Sequence, residues 1–267
     1  MLKRLVMNSL YFGLLALTVG VGIIFMMNNL DTSTSQDIPS ENTAIVREEE
    51  ERTSIEVPEQ IHTNNQEEKI ITKKQLDVPL IQQLPELPRG CEVTSLAMIL
   101  QYNGVSVDKM ELSEKITYVP FQKNGLYGNM HNGFVGNMTT FEENGLGVYI
   151  DPIIQLAELY VDSNRIVNLT GESTDQLYKA VKEGHPVWVI TNSWFSKLPD
   201  EEFLNWTTEE GSMKVTYRQH SVVITDYDNE FVYVNDPLQD KKNVPINRGD
   251  FEAAWVQMNK QAMYITS

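Results

Sequence analysis

From Leu5 to Leu30 the chain carries no charged residue, and from Asp31 to about Gln75 it is dominated by Glu, Ser, Thr, Asn and Gln. Neither stretch can supply a globular core. Whatever the chain folds into is therefore built from residues 76–267, about 190 residues and the size of one domain. The uncharged run follows Lys3 and Arg4 and is long enough to cross roughly 30 Å of hydrocarbon, for which a helix needs about 20 residues. It is read as a signal-anchor helix over 5–30, with residues 1–4 held in the cytoplasm by their positive charge and the remainder outside. A cleaved signal peptide, giving a secreted protein, is the rival reading. Its apolar core spans about 7 to 15 residues and ends in small residues, which MMNNLDTSTS does not provide. Residues 31–75, including REEEER at 47–52, are expected to form an acidic, flexible tether, with a surface helix around the Glu run as the alternative. The expected location is the cell membrane, single-pass, with the folded domain extracytoplasmic.

The folding segment holds the one cysteine of the chain, Cys91, in the string LPELPRGCEVTSLAMILQYNG. Val93, Leu96, Ala97 and Leu100 recur at the spacing of one buried helical face, and Gly104 ends the pattern. Cys91 thus heads a helix, where unpaired N–H groups and the positive end of the dipole favour thiolate over thiol. Arg89 pushes the same way and Glu92 opposes it modestly. Cysteines in such places have pKa values of roughly 3.5 to 7.5, against about 8.5 for a free thiol, which makes Cys91 a candidate nucleophile. The plainer reading is a small buried apolar residue.

A nucleophilic thiol needs a base, and a group behind the base to orient it. His62 lies in the polar stretch IHTNNQEEK, His131 in the glycine-rich GLYGNMHNGFVGNM, and His185 at the entry to the apolar run PVWVITN. His220 begins HSVVITDYDNEFVYVNDPL, two alternating runs around Tyr227, Asp228, Asn229 and Glu230, which is a hairpin signal. An odd loop over 227–229 pairs Asp226 with Glu230 and sets His220 opposite Asp236, on one face with Val222, Ile224, Val232 and Val234. A two-residue loop, Asp228 and Asn229, instead sets Pro237 opposite His220 and leaves Asn235 and Asp236 as the candidate partners.

The rest reads coarsely as mixed. Helices are expected over Val107–Ile116 and Ile153–Tyr160, and from a capping box of Ser173 and Gln176 through Val181. Strands are expected at Ile166–Leu169, at Pro186–Asn192 and across Lys214–Val234. A polar loop runs to about Met213, and the tail WVQMNKQAMYIT forms a helix and then a strand. Helices first and a sheet later is an α+β order with the cleft between them. Within Tyr127–Asn137, Gly128 and Gly133 are read as bending points, Phe134 and Val135 as anchors, and the residues between the glycines as lining the cleft. A formal net charge of −16 without a basic stripe argues against nucleic acid. One cysteine permits no internal disulfide and no multi-cysteine zinc site, and neither an HExxH nor an EF-hand pattern occurs, so no metal or cofactor is expected.

Together GCEVTSLAMIL with LPELP before it, GFVGNM, GHPVWVITN and HSVVITDYDNEFVYVNDP resemble the papain-like cysteine peptidases of family thirty-nine. More closely they resemble its stand-alone, membrane-anchored bacterial branch, described as bacteriocin-processing, double-glycine peptidase-like. The resemblance covers about residues 76–267. It implies a papain-like α+β fold in which the nucleophile helix packs on an antiparallel sheet carrying His and Asp. It also implies Cys91 as nucleophile, His220 as general base and acid, Asp236 as the orienting group, and a glutamine upstream of the cysteine as oxyanion donor. Gln83 is the better match, with Gln82 beside it as competitor; a side-chain amide near the thiolate is also what the chemistry asks for. The chain has no GxxxxGK[ST] loop and no ATPase domain, so the transporter-borne enzymes' substrates do not carry over. The expected activity is extracytoplasmic cysteine-peptidase hydrolysis of peptide or protein substrates, cell-wall peptides among the candidates. The alternatives are an acyltransferase or transamidase with the same triad, or an inactive surface binding module.

Overall fold

A computed structural model describes residues 75–267. The expected cytoplasmic N-terminus, anchor helix and tether lie outside the described residues except for Gln75. Among the described residues no helix is long and apolar enough to cross a membrane. The helices are α1 (Cys91–Tyr102), α2 (Lys109–Lys115), α3 (Ile150–Ala157), α4 (Thr174–Lys182) and α5 (Arg248–Gln257). Four short strands lie between α2 and α3, namely β1 (Tyr118–Val119), β2 (Gln122–Lys123), β3 (Leu126–Tyr127) and β4 (Phe134–Val135). The longer ones are β5 (Ile166–Asn168), β6 (Val187–Asn192), β7 (Leu204–Thr208), β8 (Gly211–Val215), β9 (Gln219–Tyr227), β10 (Phe231–Asn235), β11 (Val244–Asn247) and β12 (Ala262–Ile265).

Helices and sheet are mixed in an α+β arrangement. The main sheet has the order β11-β10-β9-β6-β12-β5, and every neighbouring pair in it is antiparallel. Trp188, Ile190, Val223, Met263 and Ile265 cover one face and pack against α1 and α3. Val187, Val189, Val222, Ile224, Val232 and Val234 cover the other and pack against Leu177 and Val181 of α4 and Phe251 and Trp255 of α5. Because both faces are covered, β6 is buried at every residue and shows none of the polar alternation of a half-exposed strand. Helix α1 is enclosed as well: every residue from Cys91 to Leu100 is buried, not only the stripe of Val93, Leu96, Ala97 and Leu100. Gly104, at φ +81, follows the helix, as its stop signal required.

The hairpin register differs from both alternatives. Asp226 faces Tyr233 and Tyr227 faces Val232, so the turn lies later in the chain than in either alternative; the Asp228 N–H donates to the Phe231 carbonyl at 2.9 Å, and Asp228 Oδ1 accepts from the backbone of Glu230 and Phe231. A bulge then leaves Thr225 as an extra residue in β9, after which Ile224 faces Val234 and Val223 faces Asn235. The bulge flips the alternation of β9, so Tyr227 and Ile224 both serve the α4/α5 face despite their odd spacing. His220 is not opposite Asp236 in any ladder; its partner in β6 is Thr191.

Three other expectations are corrected. The polar loop before Met213 contains the hairpin β7-β8, buried through Trp206 and Val215 against Tyr149 and Met130. Ser173 precedes α4 without a side-chain capping bond, so the capping box is not formed. Gly128 and Gly133 have no left-handed backbone. A Cβ would meet the Pro120 carbonyl at 2.5 Å and the Thr117 carbonyl at 2.6 Å, so they are there for close packing and not for bending. Phe134 and Val135 are fully buried anchors.

Candidate active site

The loop before α1 is bound to the far end of the sheet. The Gln83 N–H donates to the Pro237 carbonyl at 2.9 Å, and the Gly90 N–H donates to the Leu87 carbonyl at 3.0 Å. Gly90 is the N-cap of α1 and offers no side chain to its first turn. The first-turn N–H groups, that of Cys91 among them, therefore have no intrahelical acceptor and no capping side chain. Cys91 itself is 7% exposed.

One turn further on, Ser95 Oγ donates to the Ser221 carbonyl at 3.1 Å and fixes α1 to β9. The backbone of Ser221, next to His220, lies near enough to the Cys91 sulfur to draw the thiol pKa down, against the larger upward push of burial. Helix α1 is thus held, one turn after Cys91, to the β9 residue that follows His220. His220 Nε2 lies 2.7 Å from Asp236 Oδ1, with both side chains buried. A carboxylate only accepts, so Nε2 carries the hydrogen and Nδ1 keeps the lone pair of a base. Asp236 Oδ1 also accepts the Leu238 N–H at 2.8 Å. Phe195, at φ +52, packs its ring steeply inclined to the His220 ring, with centroids 6.1 Å apart.

The electrostatics of the thiol run against the expectation of a depressed pKa. Burial pushes the Cys91 thiol well up, and the Glu92 carboxylate pushes it further, both as a neighbouring charge and as acceptor of the S–H. Arg89 does not offset this, because its guanidinium lies over the Phe141 ring and donates to the carbonyls of Asn137 and Thr140. Glu92 is 1% exposed, with its own pKa raised by burial. Sequence reasoning gave it only a modest opposing charge. Its place one residue after a helix-heading cysteine was the available signal.

Gln83 is buried. Its Nε2 donates to the Leu87 and Pro88 carbonyls, both at 3.1 Å, while Oε1 has no partner. Gln82 is directed elsewhere, donating to the Gln239 carbonyl at 3.3 Å. The remaining described histidines stand apart. His131 pairs with Asp151 at 2.6 Å in an exposed position, and His185 stacks on Tyr264; His62 lies outside the described residues. A cavity of about 200 Å³ is lined by Tyr127, Gly128, Asn129, Asn132 and Glu210 among others, and neither Cys91 nor His220 lines it. Among the described residues no cluster of three or more His, Cys, Asp or Glu is placed to hold a metal ion.

The sequence profile of the Peptidase_C39 like family matches residues 75–263. The chain is 43% identical over 205 residues to the Bacillus subtilis (strain 168) protein named "Uncharacterized protein YvpB", covering 76% of this chain and 80% of that one. A crystal structure from Bacillus anthracis, described as a C39-like peptidase, superposes with a TM-score of 0.71 at 51% identity, covering 73% of this chain and 98% of the other.

Proposed function

The chain belongs to the Peptidase_C39 like family, and from that premise we propose that it is a cysteine peptidase cleaving amide bonds through a thioester on Cys91. In this reading His220 is the general base and acid, and Asp236 orients it. The observation that carries it is the buried 2.7 Å bond from His220 to Asp236, formed next to the Ser221 backbone to which Ser95 fixes the nucleophile helix. Nδ1 takes the thiol proton as the sulfur attacks the scissile carbonyl, then returns it to the leaving amine. Water hydrolyses the thioester with Nδ1 again as base.

The uncapped start of α1 supports the Cys91 N–H as one oxyanion donor. Gln83 is the proposed second. A developing oxyanion would compete with the Leu87 and Pro88 carbonyls for its amide hydrogens. Substrate would lie on the exposed apolar side chains Leu84, Tyr217 and Leu238, close in sequence to these residues, and on Trp194, which adjoins the Phe195 that packs near His220. With residues 5–30 as a membrane anchor, the domain would work outside the cell on peptides or proteins, cell-wall peptides included.

The test is alkylation of the single cysteine of the full-length chain by iodoacetamide as a function of pH, in wild type, His220→Ala and Asp236→Asn. Alkylation near neutral pH that is slowed in His220→Ala and in Asp236→Asn, wherever the resting thiol ionises, supports the peptidase. A profile that ignores His220 removes its chemical basis and favours a binding module. An acyltransferase would share the alkylation profile and be recognised by transfer products formed when a second amine is supplied.

A further inference from the structure

Glu92 has no role in the mechanism above, yet it is among the most enclosed charged residues described. Oε1 accepts the Val148 N–H at 3.2 Å and the Gln219 side-chain amide at 2.9 Å, and Oε2 accepts the Cys91 thiol at 3.2 Å. Its backbone carbonyl accepts the Trp188 indole N–H at 3.0 Å. Gly147 makes room for it, since a Cβ there would come within 2.6 Å of both Glu92 Oε1 and Gln219 Nε2. Gln219 immediately precedes His220 and also donates to the Val148 carbonyl at 3.2 Å. The carboxylate thus joins the nucleophile helix, the histidine strand and the 147–148 segment, and every donor to it is neutral.

We propose that Glu92 is a positioning residue that holds Cys91 in a protonated resting arrangement by accepting the thiol hydrogen, so that the thiol must leave Glu92 before it can engage His220. A thiol has one hydrogen, and a bond to Oε2 excludes a bond to Nδ1. Rotation about the Cα–Cβ bond of Cys91 exchanges one acceptor for the other with no covalent change. The S–H proton then passes to Nδ1 as the sulfur attacks. Of the ionisable groups on other elements, Asp236 after β10 pushes the thiol up as a neighbouring charge and is itself bonded to His220 on β9. Arg89 is turned to the Asn137 and Thr140 carbonyls. Tyr149 is pushed up to about 12 by burial and stays neutral near pH 7. The consequence for turnover rests on the peptidase reading, whereas the consequence for thiol reactivity does not.

Glu92→Gln in the full-length chain tests this. The amide carbonyl keeps the bonds from Val148 and Gln219, while the new N–H group faces the sulfur as a donor and favours thiolate. Iodoacetamide should react with Cys91 about tenfold faster at pH 7, the change that one unit of thiol acidity produces. The gain should persist in a His220→Ala background. An unchanged profile in both backgrounds overturns the proposal, even where His220→Ala by itself slows the wild type and so leaves the peptidase reading standing. Should Glu92→Gln fail to fold, Gly147→Ala displaces the carboxylate without changing charge. Faster alkylation then supports the proposal, and an unaltered rate in the folded variant overturns it.

Discussion

His220 Nε2 lies 2.7 Å from Asp236 Oδ1, although the ladder between β9 and β10 ends at Asn235 opposite Val223. Asp236 is the first residue beyond the strand, and a turn rather than sheet pairing brings it back to the imidazole. The Leu238 N–H donates to the same Oδ1 at 2.8 Å, and the Gln83 N–H holds the Pro237 carbonyl at 2.9 Å. The loop that leads to Cys91 thus helps to fix the turn that orients His220.

Asp236→Asn keeps the size of the side chain but can offer an N–H to the imidazole, so Nε2–H is no longer the enforced tautomer. Peptide hydrolysis should fall by about a hundredfold or more, within the 10²–10⁴ that a positioned base contributes, with little change in KM. Steady-state kinetics check it, together with circular dichroism to show that the fold survives.

Gln83→Ala separates two roles of one amide. An oxyanion donor would cost about 10² to 10³ in kcat with KM nearly unchanged. A side chain that only holds the Leu87 and Pro88 carbonyls would lower the melting temperature and leave kcat of the folded fraction close to wild type. The proposed mechanism expects the first pattern.

Ser95→Ala removes the bond that fixes α1 to β9 next to His220. A lone neutral hydrogen bond contributes about 1 kcal/mol, which lowers Tm by about 2–4 °C in a domain of this size. Thermal unfolding in the presence and absence of Cys91 alkylation reads the effect.

Much of this was legible in the sequence because it is local. Cys91 at the head of a helix, Gly104 after its end, and the β-rich segment around His220 each follow from periodicity or a single stop residue. The register of β9 on β10 was not legible, because the bulge at Thr225 answers to packing on α4 and α5, not to the turn chemistry of 227–230. The hairpin β7-β8 was hidden by its polar, half-exposed sequence, which Trp206 and Val215, with Met213 beside them, tie to a small cluster around Tyr149. The acidity of Cys91 was misjudged for a related reason. Proximity in sequence let Arg89 and the helix start outweigh a modest opposition from Glu92, whereas the fold turns the guanidinium to the carbonyls of 137 and 140 and buries the carboxylate against the sulfur.

That burial gives a stability signature independent of catalysis. The Glu92 carboxyl is raised above its ordinary value of 4.5 in the folded state, chiefly by desolvation. A raised folded value means that the native state holds its proton more tightly than the unfolded chain does. The stabilisation is complete below 4.5 and is lost as pH rises through the folded value. Glu92→Gln has no such loss, so the melting temperature of the variant relative to wild type should rise across that window and level off above it. The Cys91 thiol, also raised, acts only above its ordinary value of 9.0 and does not overlap. Paired thermal melts at pH values on both sides of 4.5 provide the measurement. A difference that stays flat with pH would show that Glu92 ionises alike in the folded and unfolded chain, and so is not held in the enclosed position that its bonds to Cys91, Gln219 and Val148 describe.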